Sequence, residues 1–339
     1  MVLNSYQVKR AGVVAVALCM SCGGEASSRP SSQEEDCTQQ GVCVEAVSCA
    51  DETPVPSVWA SWPMPNPASS GLAQAVSYDV TQPGVALDKI TGLMWQRELE
   101  ATDLQYTFND AGAYCSALEA GGYCDWRLPT RIELVSLVDF TRTNPAVDAA
   151  VFPRTEGAFI SSSLAAGQDA RWSVHADGAT AVLTYTNVPS TVRVRCVRLH
   201  TWQEVAETRY TFDTGATETV ADVGTGLVWQ RKTAATKYTF AKAQEYCAAL
   251  GDGFRVPSMK ELQTVVDETA AERPSIDQRV FTEFPELTFG NAFFWTSSVS
   301  AALSGSNAWF VNFGNGAVTD FVVNVGSVVD NEYYVRCVR

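Results

Sequence analysis

Two tandem copies of an α+β domain are what the sequence predicts, on three observations. Four sequence blocks recur in the same order. TGLMWQR at Thr91–Arg97 returns as TGLVWQR at Thr225–Arg231, and YTFNDAGAYCSAL at Tyr106–Leu118 returns as YTFAKAQEYCAAL at Tyr238–Leu250. WRLPTRIEL at Trp126–Leu134 is matched by FRVPSMKEL at Phe254–Leu262, and VRCVR at Val194–Arg198 by VRCVR at Val335–Arg339. The recurrence is also long: Gly92 and Gly226 stand 134 positions apart. That exceeds the roughly 20–50 residues of a solenoid unit, so each copy is large enough to own a core. Finally, helix signals come early in each copy and strand signals late, the order of an α+β domain with an antiparallel sheet.

The chain opens on a segment patterned for export. Lys9 and Arg10 give a basic flank, Ala11–Met20 an apolar run of ten, and Ser21-Cys22-Gly23 small residues around a cysteine. Ten residues at about 1.5 Å each cannot cross a hydrocarbon layer of roughly 30 Å, so residues 1–21 read as a signal peptide, not a span. Leu18 and Ser21 before Cys22 resemble a bacterial lipobox, which makes Cys22 the expected lipidation site. Ordinary secretion after nearby cleavage, or lipid on Cys19, is the alternative. Gly23 rather than Asp after Cys22 points to an outer-membrane or cell-surface lipoprotein.

Residues 22–70 read as a tether. They are rich in Ser, Pro and Gln, carry Cys37, Cys43 and Cys49 as a small knot, and are kept extended by Pro54, Pro56, Pro63, Pro65 and Pro67. Trp59 and Trp62 among these prolines are expected to pack back on the first domain.

The two domains follow at 71–200 and 201–339. In each, residues flanking Gly84 or Gly215 suggest a hairpin leading into the GLxWQR strand. Thr107 and Thr239 are N-cap candidates for a helix with Phe108, Ala111, Cys115 and Leu118, or Phe240, Ala243, Cys247 and Leu250, on one face. Thr130 with Glu133, and Ser258 with Glu261, match the capping box of a second helix, so these two glutamates read as caps, not catalytic carboxylates. Phe159–Ser163, Arg171–His175, Phe294–Ser298 and Ala308–Phe313 are strand-like, with turns at Asp177-Gly178 and Gly314–Gly316. Trp95, Trp172, Trp229 and Trp309 read as core or sheet residues.

Ten cysteines in an exported chain point to disulfides. Loss of Cys19 with the leader and lipid on Cys22 leave eight. Each copy has one cysteine in its YC block and one in its VRCVR block, so Cys115–Cys196 and Cys247–Cys337 are the parsimonious pairs. Each closes a loop of 80 to 90 residues, worth about 4 to 5 kcal/mol by chain entropy. Cys124 has no counterpart and is expected to join Cys37, Cys43 or Cys49.

A formal charge of −14 disfavours nucleic acid, anionic lipid and sulfated polymers. His175 and His200 are the only histidines and lie outside any ligand-like cluster, which argues against zinc or histidine acid–base chemistry. The sequence contains neither GxxxxGK[ST] nor GxSxG. Ser161–Ser163 and Ser297-Ser298 read as exposed-strand or turn serines without a base.

The GLMWQR, YC, WRLPTxxEL, WTSS, AWxVxF and VRCVR blocks together resemble the Lcl C-terminal domain family, over roughly 77–198 and 209–339. The resemblance implies a fold related to the C-type lectins and formylglycine-generating enzymes: in each copy two helices and an antiparallel sheet. It implies an exported protein that binds an extracellular polysaccharide or protein and meets the membrane only through its lipid anchor. No cofactor is implied. Ile160 stands where the second copy has Trp295, so the second copy is the better-preserved candidate for a ligand loop. The calcium triplets of sugar-binding C-type lectins do not occur, and Asn312, Asn315, Asp320 and Asn324 are explained more simply as turn residues. Two alternatives stand beside recognition: an envelope component without a small ligand, and an oxidase of the formylglycine-generating type. The oxidase requires reactive thiolates, which bridged cysteines cannot supply.

Overall fold

The structure is a computed structural model that describes residues 17–18, 36–37, 42–44, 58–99, 106–166, 170–184, 192–200, 208–213, 218–284, 292–301, 307–321 and 331–339. The expected lipidation site Cys22, and Cys49, lie outside them. The chain divides into two compact units, Met1–Thr53 and Pro54–Arg339. In the first, β1 (Ala17–Leu18), β2 (Asp36–Cys37) and β3 (Val42–Val44) pair antiparallel in the order β1-β3-β2.

The second unit holds both copies. The first copy contains β4 (Tyr78–Asp79), β5 (Val85–Asp88), β6 (Leu93–Gln96), α1 (Phe108–Ser116), α2 (Arg131–Ser136), β7 (Ala158–Leu164), β8 (Ala170–His175), β9 (Thr180–Thr184), β10 (Val192–Arg193) and β11 (Val197–Leu199). The second contains β12 (Tyr210–Asp213), β13 (Thr219–Asp222), β14 (Leu227–Gln230), α3 (Phe240–Ala249), α4 (Met259–Gln263), β15 (Phe293–Ser300), β16 (Asn307–Asn312) and β17 (Ala317–Phe321). The helices start where local chemistry directs. Thr107 and Thr239 accept from the amides of Asp110 and Lys242, and Thr130–Glu133 and Ser258–Glu261 form complete capping boxes.

The late strands of the two copies form a single sheet of seven strands, in the order β10-β7-β8-β9-β17-β16-β15. The copies meet where β17 pairs antiparallel with β9, Val318 opposite Thr180, and the Val318 amide donates to the Thr180 hydroxyl at 3.0 Å. The early hairpins stay separate as β11-β6-β5-β4 and β12-β13-β14.

Beneath the shared sheet one apolar cluster draws on both copies: Trp95, Ile132, Val135 and Val174 from the first, Trp229, Met259, Val266 and Trp309 from the second. Two smaller clusters, one per copy, surround Cys115 with Cys196 and Cys247 with Cys337. The turns interlock across the joint. Gly178 of the first copy is crowded by Trp309 of the second, and Gly316 of the second by Trp172 of the first. Both glycines have positive φ, and a Cβ on Gly316 would lie 2.9 Å from Val266 Cγ1 and 3.2 Å from Trp172 Cη2. Small residues with left-handed freedom are therefore needed at both turns.

The end of the segment read as tether is packed. Ala60, Trp62 and Met64 are buried in alternation with the half-buried Ser61 and Pro63, as an extended strand places them, and Met64, Pro65, Asn66 and Pro67 are buried without a break. Trp62 joins the shared cluster, and Trp59 lies against the Arg209 guanidinium of the second copy, 4.3 Å from its ring centre. The segment thus packs on both copies, not on the first alone.

Candidate functional site

The repeated blocks, far apart in sequence, meet around the sulfur bridges. Cys115 is bonded to Cys196 and Cys247 to Cys337. In the first copy the Gln96 amide donates to the Tyr114 hydroxyl at 2.7 Å, while its oxygen accepts from the Cys196 backbone at 3.2 Å. Gln230, Tyr246 and Cys337 repeat the arrangement at 2.7 and 3.3 Å. The arginine before each terminal cysteine is wholly buried. Arg195 donates to the carbonyls of Gln96 and Arg97 and to the Thr155 hydroxyl; Arg336 donates to those of Gln230 and Arg231 and to the Thr233 hydroxyl. Burial without a carboxylate partner lowers both guanidinium pKa values to about 9. The WQR, YC and VRCVR motifs are therefore one interlocked scaffold in each copy.

Most other residues singled out in the sequence are structural. Glu133 and Glu261 each accept from their cap amide and hold Arg127 or Arg255 in a bidentate pair at 2.6–2.8 Å. Trp95, Trp172, Trp229 and Trp309 are buried. Trp295, on the expected ligand loop, is buried too, its indole N–H donating to the Tyr238 carbonyl at 2.7 Å and its ring packed edge-on against Phe240. An aromatic there fills the core and offers no face to a ligand. Three of the serines expected to be exposed are buried: Ser161 donates to the Trp172 carbonyl, and Ser163 and Ser298 accept the first amides of α2 and α4 at 2.9 Å. Asn312 and Asn315 accept from the amides of Gly314 and Ala317, the expected turn roles. The Asp320 side chain and Asn324 lie outside the described residues. Cys124 is disulfide-bonded. Among the described residues no group of three or more His, Cys, Asp or Glu side chains is gathered as a metal would require, and no helix is long and apolar enough to cross a membrane.

A cleft of about 500 Å³ draws on residues of both copies. Ser69 and Thr141, 3.4 Å apart, form one wall, with Phe140 beside them. Gln244 on α3, Arg255 and Ser297 form the other. Val299 at the rim is 39 % exposed. Hydroxyls, an amide and a guanidinium thus alternate with apolar surface, a lining able to hydrogen-bond and stack a neutral polar ligand.

The model of the Lcl C-terminal domain family matches the chain twice, at residues 84–198 and 218–339. The chain belongs to the Lcl C-terminal domain family. Both matches run from the hairpin through the cysteine strand, so each Lcl C-terminal copy contains one complete sulfur scaffold. No curated protein matches the chain.

Sequence reasoning missed the joint between the two Lcl C-terminal domains. α2 and α4 pack against each other there. Arg131 of α2 donates to Glu268 at 2.8 Å, to the Gln263 side-chain oxygen at 3.0 Å and to the Gln263 carbonyl at 3.4 Å. Lys260 of α4 donates to the Ser136 carbonyl at the end of α2 and to the Pro65 carbonyl, both at 2.7 Å. Each helix thus supplies a cation to the carbonyl end of the other, where the helix dipole favours it. The signal was present: Arg131, Lys260, Gln263 and Glu268 are polar where the other copy has Met259, Ile132, Val135 and Phe140.

Proposed function

We propose that the protein is an exported, lipid-anchored recognition protein of a bacterial envelope, in which two C-type-lectin-like domains bind an extracellular glycan or protein. The observation that carries this reading is the cleft, because its mixed hydroxyl, amide and apolar lining comes from both copies and suits a polar, largely uncharged polymer segment. The acidic chain disfavours anionic ligands. An oxidase is the weaker reading, since Cys115, Cys124, Cys196, Cys247 and Cys337 are all in disulfides and unable to act as thiolates. The shared core favours a second reading, an envelope component that is a rigid spacer without a small ligand. Glycan arrays and envelope-protein pull-downs with the mature chain separate the two. Recognition predicts a hit that Gln244→Trp, filling the cleft from its exposed wall, abolishes. Silence across both screens favours the spacer, and a hit untouched by Gln244→Trp places the ligand elsewhere.

A further inference from the structure

We infer that six buried residues at the α2–α4 crossing form a matching code, by which each copy accepts the other copy and rejects its own kind. α2 and α4 are equivalent helices of the two copies, so each residue at the crossing has a counterpart position on the other helix. On one side stands Arg131, bonded to both Gln263 and Glu268, all three no more than 3 % exposed. The equivalent positions on the other side are Met259, Val135 and Phe140, equally buried members of the shared apolar cluster. One half of the crossing is ionic and the other apolar.

Pairing two first copies would set Arg131 against Val135 and Phe140, burying a guanidinium with no carboxylate. Pairing two second copies would set Glu268 and Gln263 against Met259, burying a carboxylate with no cation. Stranding one member of a buried pair is far costlier than replacing both by apolar groups. Lys260 adds a second discrimination. Its partner carbonyl at Ser136 is equivalent to that of Thr264, and the Thr264 carbonyl already accepts from Arg209 at 2.7 Å. Two second copies would therefore bring two cations to each such carbonyl. Two first copies would set Ile132 against the Ser136 carbonyl and leave it without a donor. Both like pairings fail on two counts, so on a surface crowded with this protein the copies close within their own chain.

Both forbidden joints can be rebuilt inside the full chain, with its disulfides intact, and read by urea unfolding. Arg131→Met recreates the ion-pair mismatch of two second copies, and Q263V/E268F that of two first copies. Each is expected to lower the folding equilibrium constant by about a hundredfold or more. The triple variant R131M/Q263V/E268F makes both halves apolar and is expected to return to within about tenfold of the natural chain. If the mismatched chains fail to fold while the triple variant folds, the code stands. A triple variant weaker than either parent, or mismatches costing less than about tenfold, overturns it.

Discussion

Lys260→Met tests the joint through its pH dependence. The Lys260 side chain is 2 % exposed, with its ammonium between the carbonyls of Pro65 and Ser136. Burial lowers its pKa from the ordinary 10.5 to about 7, against the opposing pull of Asp88 and Asp139. Between those two values the unfolded chain binds more protons than the folded one, so stability rises with pH across the window. The full span corresponds to roughly 5 kcal/mol, of which about 2 kcal/mol falls between pH 7 and 9. A neutral amine still has two N–H donors for two carbonyls, so the contact survives deprotonation. Methionine removes the buried charge but strands both carbonyls, two opposed effects of similar size. The diagnostic quantity is therefore the pH slope. Urea midpoints of the natural chain and of Lys260→Met, measured at pH 7, 8 and 9 with disulfides intact, should diverge, the natural chain gaining about 2 kcal/mol relative to the variant. A difference that stays constant over this range would show that water reaches the ammonium and that the joint is not sealed.

Three further perturbations probe separate parts of the scaffold. Gly316→Ala should lower stability by about 1–3 kcal/mol, because the methyl meets Val266 and Trp172 at a positive φ, whereas Gly226→Ala, with open space around it, should cost only about 1 kcal/mol; thermal melts compare the two. Replacing Cys247 and Cys337 together by alanine opens a loop of 90 residues and should cost about 4 to 5 kcal/mol by chain entropy, read from the shift in urea midpoint. Gln230→Leu removes the partners of the Tyr246 hydroxyl and the Cys337 amide and should cost about 1–3 kcal/mol, with slow exchange of the Cys337 amide lost.

What was legible in the sequence was either local or repeated. The capping boxes join groups three residues apart, so hydroxyl, carboxylate and spacing alone specify them. The bridges Cys115–Cys196 and Cys247–Cys337 are distant, but duplication presents the same pair twice and removes the ambiguity. The joint had neither advantage. Arg131 and Glu268 are separated by 137 positions, and their equivalents Met259 and Phe140 make the differences resemble drift between old duplicates. Only when α2 lies against α4 do those differences become complementary. The same holds for the sheet: nothing local marks the edges of β9 and β17 as partners. Trp295 misled for another reason. A tryptophan near a polar loop reads as a ligand platform, while here Ser297 and Val299 after it line the cleft and the ring itself fills the core.

The two copies form one cooperative body, joined by a common sheet, a common apolar cluster and reciprocal cations at the ends of α2 and α4. Differential scanning calorimetry of the chain with intact disulfides tests this most directly. One endotherm is expected, in which the van't Hoff and calorimetric enthalpies agree. Two resolved transitions, or a van't Hoff enthalpy near half of the calorimetric one, would contradict it.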